Sequence, residues 1–144
     1  MKRRDFIKMA ATGVVGASAI LGQPQQVLGA PSDSLYERCA KACRDCEKAC
    51  QACHKHCAAM VKIGMKEHEK SMHLSEDCME VCGLCAKVCE RKGPMAVALA
   101  EACRKACRAC GDECGKNTDM KPMADCAKAC SACDKACEAL TAAP

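Results

Sequence analysis

Apolar and polar positions alternate along most of this chain with a period between three and four. In "CAKACRDCEKACQACHKHC" the apolar beat falls on Cys39, Cys43, Cys46, Cys50, Cys53 and Cys57, with steps of 4, 3, 4, 3 and 4. At about 100° per residue these positions lie near 0°, 40°, −20°, 20°, −40° and 0°, one stripe about 80° wide. That is the inner seam of a heptad helix, with cysteine standing where leucine is usual. The beat returns three times as C-x3-C-x2-C-x3-C. The copies are Cys78, Cys82, Cys85, Cys89; Cys103, Cys107, Cys110, Cys114; and Cys126, Cys130, Cys133, Cys137. Between them lie the breakers "KIGMKEHEKS", "RKGP" and "GKNTDMKP". Four one-helix repeats with short connections predict an all-α, antiparallel up-down four-helix bundle with cysteines lining its core.

Local signals agree with helices. Alanine, lysine, glutamate and arginine fill the positions between cysteines and favour helix. Ser34 and Glu37 form a candidate capping box before the first helix, and Ser75 is a candidate cap for the second. Gly93 and Pro94 separate the second helix from the third, and Gly115 and Pro122 the third from the fourth. Gly83 and Gly111 interrupt helical repeats, which points to a close helix approach or a local bend. No stretch beyond residue 30 alternates with period two, so no sheet is expected.

Composition sharpens the picture. Of 144 residues 18 are cysteine, and the aromatics are only Phe6 and Tyr36. Ten Leu, Ile and Val residues follow residue 30, too few for a conventional core. Cysteine, alanine and methionine must fill it, and whatever the thiols bind helps to hold the fold.

Residues 1–30 read differently. "RRDFIK", a weakly apolar run Met9–Leu21 and small residues at Gly29 and Ala30 are similar to a twin-arginine (Tat) export signal. The run is shorter than the ~20 residues that span a bilayer. The expected division is a Tat-type signal peptide over 1–30, cut after Gly29, and a cysteine-rich bundle over 31–144. Export in the folded state to the periplasm or another extracytoplasmic compartment follows, with no membrane span after cleavage. Loss of Lys2, Arg3, Arg4, Lys8 and Asp5 with the signal lowers the formal net charge from +4 to about +1. A mixed surface without stacking aromatics gives no support for nucleic-acid binding.

Four uses of a sulfur stripe compete. Disulfides suit an exported protein with an even cysteine count. However, residues three or four apart on a helix have Cβ atoms ~5–6 Å apart, and a disulfide wants ~3.5–4.5 Å. All bridges would have to cross between helices. Iron–sulfur clusters use compact looped motifs that are missing here. Zinc takes isolated sets of four ligands, which a continuous column does not mark out, although a zinc–thiolate assembly stays open. Cu(I) suits the pattern best: thiolates are soft ligands that select it, and about one ion per thiolate leaves a buried column near neutral. An enzyme is not expected. No Ser/His/Asp set, phosphate loop or paired-carboxylate motif occurs, and reactive thiols need exposure that inward cysteines lack.

The four C-x3-C-x2-C-x3-C helices resemble the bacterial copper storage proteins, cysteine-lined four-helix bundles that hold many Cu(I) ions. The likeness spans about residues 34–140. It implies Cu(I) ligation by Cys39 through Cys137, on the order of one ion per cysteine, a homo-oligomer (a tetramer), and copper donor and acceptor proteins. It also implies methionine and histidine ligands at one open bundle end. The stripe itself points to such an end: three residues beyond Cys57 stands Met60, and three before Cys126 stands Met123. Both face the axis at the end carrying Met65, His68, Met72, His73 and Met120, whereas Tyr36 and Leu140 continue the stripe at the other end and plug it. Met60 and Met123 are therefore candidate ligands. His54 and His56 sit about 100° off the stripe, so solvent is their ordinary setting; His56 matches the family's mouth pattern and joins the candidates. His68 and His73 fall in or beside a connection, where surface exposure is expected, and Ile63 stands where another methionine would suit the mouth. The expected function is storage of Cu(I), taken up at the methionine-rich mouth and passed inward between sulfurs.

Overall fold

A computed structural model describes residues 31–143, and the expected signal segment lies outside them. Four α-helices follow in order: α1 Asp33–Lys62, α2 Glu69–Glu90, α3 Ala96–Cys114 and α4 Lys121–Thr141. No strand occurs among the described residues. Each helix packs on its sequence neighbour and α1 also packs on α4, closing a ring around one axis. Joined by short connections, the four helices form the antiparallel bundle that the repeats predict. None of the described helices is long and apolar enough to cross a membrane.

The heptad stripe decides what lies inside. All 18 cysteines are buried, each no more than 1% exposed. Around them, among the described residues, the buried apolar side chains are Met123, Leu140, Val88 and the small Ala40, Ala86, Ala96 and Ala100. Charged residues occupy the outer faces and tie neighbouring helices together: Arg44 to Glu90, Lys70 to Glu113, and Arg104 and Arg108 to Asp134. Ion pairs at a protein surface add little to stability, so these mainly fix how the helices face one another.

The connections differ in detail from the sequence expectation. Ser34 does not cap α1; the N-cap is Ser32, which makes no side-chain cap bond, and the two serine hydroxyls meet at 3.1 Å. Ser75 lies inside α2, where its Oγ donates to the Met72 carbonyl at 3.0 Å. The first connection is shorter than "KIGMKEHEKS". After α1 the chain turns at Gly64 (φ 95°), with Met65 N–H donating to Met60 O and Gly64 N–H to Val61 O. This Schellman closure needs a left-handed residue, which glycine supplies at little cost. A 3₁₀ turn, Lys66–His68, then runs straight into α2. The two helical glycines mark close approaches. A Cβ on Gly83 would lie 2.8 Å from Glu47 Oε1 of α1, and one on Gly111 would lie 3.1 Å from Cys130 Cβ of α4.

Candidate metal centre

Because every cysteine points inward, the thiols meet along the axis as one continuous column. All 18 are free. Contacts between helices include Cys82–Cys103 at 3.3 Å, Cys39–Cys137 at 3.4 Å, Cys53–Cys114 at 3.5 Å, and Cys43–Cys133 and Cys110–Cys126 at 3.6 Å. Pairs four apart on one helix meet as well, Cys46–Cys50 at 3.7 Å and Cys53–Cys57 at 4.0 Å. These separations exceed the ~2.05 Å of a disulfide bond, but they suit bridging by a metal. With a metal–thiolate bond of about 2.3 Å, two sulfurs on one ion stand about 3.8 Å apart in tetrahedral geometry and about 4.6 Å apart in linear geometry.

Several groups of four sulfurs lie mutually within 4.8 Å, such as Cys43, Cys103, Cys133 and Cys137, or Cys46, Cys78, Cys107 and Cys130. They overlap: Cys46 and Cys107 also belong to a group with Cys82 and Cys133. A sulfur shared between adjacent groups gives a metal ion a neighbouring site to move to by exchanging one ligand at a time.

The packed thiols shift one another's proton affinities in both directions: contacts with neighbouring thiols raise Cys43, Cys50 and Cys82 and lower Cys46, Cys78 and Cys103. Burial pushes Cys57 up to about 12, with the neighbouring Cys53 adding to the effect. Cys53 rises to about 11, chiefly through its contact with Cys114. At the other end the hydrogen bond from Cys137 draws Cys39 down to about 5. A thiolate surrounded by S–H donors is stabilised, whereas a second charge beside it is repelled. Many uncompensated thiolates side by side in a buried column would be costly, and cations in place of the protons would keep it near neutral.

At the end formed by the α1–α2 and α3–α4 connections, thioether and imidazole side chains gather. Met123 is fully buried beyond Cys126, and Met60 is half-buried beyond Cys57. His56 turns inward, its Nε2 3.2 Å from the sulfur of Met120. Its ring meets His68 edge-on, with centroids 5.7 Å apart. His68 corrects the sequence expectation: it is 1% exposed, not at the surface, because the 3₁₀ turn carries it onto the inner face of α2. Its Nδ1 and the buried Ser71 Oγ have no hydrogen-bond partner. His54 stays on the flank, donating from Nδ1 to the Met72 carbonyl at 3.0 Å, and His73 is exposed. Met65 and Met72 are half-buried. At the opposite end Leu140 is fully buried and Tyr36 partly so, and both pack against the core.

Comparison with known proteins agrees with this geometry. Residues 32–142 match the family described as copper storage protein. The apo copper storage protein 3 of Bacillus subtilis is 33% identical, with a TM-score of 0.65, covering 74% of this chain and 98% of that one. The copper storage protein Ccsp of Streptomyces lividans, loaded with 10 copper equivalents, is 31% identical with a TM-score of 0.72, covering 85% and 95%. A Streptomyces lividans structure described as a cytosolic copper storage protein with five coppers is 32% identical, TM-score 0.70, covering 78% and 96%. No curated protein sequence matches the chain. The extracytoplasmic location expected from residues 1–30 is overturned by that cytosolic relative, since the expectation rested on the amino-terminal pattern alone. Helix order, sulfur lining and a match over nearly all described residues converge: the chain belongs to the copper storage protein family.

Proposed function

We propose that this protein takes up and stores Cu(I) in its sulfur column, holding on the order of one ion per cysteine through Cys39 to Cys137. The observation that carries this reading is the continuous run of buried, free thiols 3.3–4.0 Å apart across all four helices. Soft thiolates select Cu(I), and one positive ion replacing each proton keeps the column near neutral. One structural relative is described as Cu(I)-bound. Binding, not catalysis, is the role, because every thiol is buried and none is presented to a substrate. The bundle spans 31–144 as one unit, and the homo-oligomer, a tetramer by family likeness, belongs to the same reading.

Ligation by thiolate makes uptake compete with protons. Cys57, raised to about 12, carries its proton at neutral pH and must release it to bind metal. Affinity therefore falls as pH falls, about tenfold per pH unit for each proton displaced. Competition with a Cu(I) chelator between pH 6 and 8 reads that slope, and a pH-independent affinity would assign the copper to methionine and surface ligands instead.

Met60, Met123 and His56 form the mouth in this reading, joined by Met120 and His68. Neutral, soft sulfur and imidazole donors bind Cu(I) less tightly than thiolate, as an acceptor that hands ions inward requires. Replacing Met123 by leucine keeps its volume and packing. The Met123→Leu protein is expected to fill to the same final copper content, with the initial rate of uptake reduced severalfold in stopped-flow transfer from a chelator. An unchanged rate would remove Met123 from the path.

A further inference from the structure

Within the column certain sulfurs close into triangles. Cys78, Cys82 and Cys107 are mutually 3.8 Å apart on all three sides. Cys43, Cys103 and Cys133 form a second triangle with sides of 3.8, 3.6 and 3.7 Å. The two share no residue, and each joins more than one helix. All six thiols are free and no more than 1% exposed.

Three converging thiols can hold Cu(I), and they also suit a centre that needs three covalent sulfur bonds. A trivalent pyramidal centre with bonds of about 2.3 Å and angles near 100° sets its three sulfurs about 3.5 Å apart, a few tenths of an ångström inside these triangles. We propose that the column also captures trivalent arsenic as arsenous acid, with Cys78/Cys82/Cys107 and Cys43/Cys103/Cys133 as its first sites. In each, As(OH)₃ exchanges three hydroxides for three thiols: three As–O bonds break, three As–S bonds form, and the thiol protons leave in three waters. No electron is transferred and no oxidant is needed. Both reactant and product are neutral, so this cargo brings no charge into the core and needs no counter-ion there. Closed triangles favour it over surface dithiols, which satisfy only two of the three bonds and leave a hydroxide in water.

The inference rests on the same free thiols as copper storage but not on copper. The test uses the reduced, metal-free full chain under anaerobic conditions with sodium arsenite as the probe, and a parallel Cu(I) titration of the same preparation. Native mass spectrometry is expected to show at least two arsenic atoms per folded chain, each adding the mass of arsenic less three protons. Arsenic X-ray absorption is expected to show a shell of three sulfurs and no oxygen. Arsenic retained with an oxygen neighbour, or fewer than two atoms per chain, would overturn the inference while copper filling leaves the storage reading intact. If neither arsenite nor Cu(I) fills the chain, both fail together.

Discussion

Filling with Cu(I) is expected to transform the resistance of this protein to unfolding. The metal-free core is poor in apolar mass: cysteine occupies the seam positions, and among the described residues Met123 and Leu140 are the only fully buried large apolar side chains. A domain of this size ordinarily has about 5–15 kcal/mol of stability, and a cysteine core places the apo form near the bottom of that range. Each independent ion held at a hundred times its dissociation constant adds up to about 2.7 kcal/mol, less whatever the thiols of the unfolded chain recover by binding it themselves. Several such ions exceed the whole apo stability. In guanidinium chloride the apo protein should unfold cooperatively by circular dichroism, with the loaded protein remaining helical until a strong Cu(I) chelator is added. Coincident midpoints for the two forms would mean that copper sits outside the folded core.

The second large effect is at the closed end. Leu140 follows Cys137 by three residues on α4 and is fully buried. Truncating a buried leucine costs about 2–5 kcal/mol through lost burial and the cavity left behind. Few other large side chains can collapse into that space, so Leu140→Ala should fall in the upper part of this range by urea denaturation of the reduced apo protein. Copper capacity should be retained once the variant is loaded, since no thiol is removed. A cost below about 1 kcal/mol would show that the base is sealed elsewhere.

The contrast between the two ends shows what the sequence made legible. The stripe of steps three and four, followed from Cys39 to Cys57 and through the other repeats, identified all 18 inward thiols. Extended by one step it also placed Met123 and Leu140 correctly inside. Met60, one step beyond Cys57, is only half-buried because α1 is nearly at its end there and its neighbours Lys62 and Ile63 are open to solvent. The same extension was available at the start of α2. Counting back from Cys78 by three, four and three reaches Ser75, Ser71 and His68, all 1% exposed or less. Their polarity and the nearby Gly64 made that stretch look like a connection, so tertiary packing overrode local composition.

Other features needed coordinates because several local solutions satisfy the same sequence. Serines near a helix start can cap, or can donate to a carbonyl within the helix, as Ser75 does to Met72. Gly83 and Gly111 proved to be contact points: the first gives room to the Glu47 carboxylate and the second lets α3 approach α4 at Cys130. The family likeness had already put His56 and not His54 among the candidates; the coordinates add the direction of each ring, one engaged by a backbone carbonyl and the other by the sulfur of Met120.

An anaerobic titration of the reduced protein with Cu(I), against a competing chelator and read to saturation, tests storage most directly. With 18 cysteines in one connected column, uptake should approach or somewhat exceed one ion per cysteine before free Cu(I) appears. Saturation at one or a few ions would contradict storage and reduce the column to a small metal site within a thiol-packed bundle.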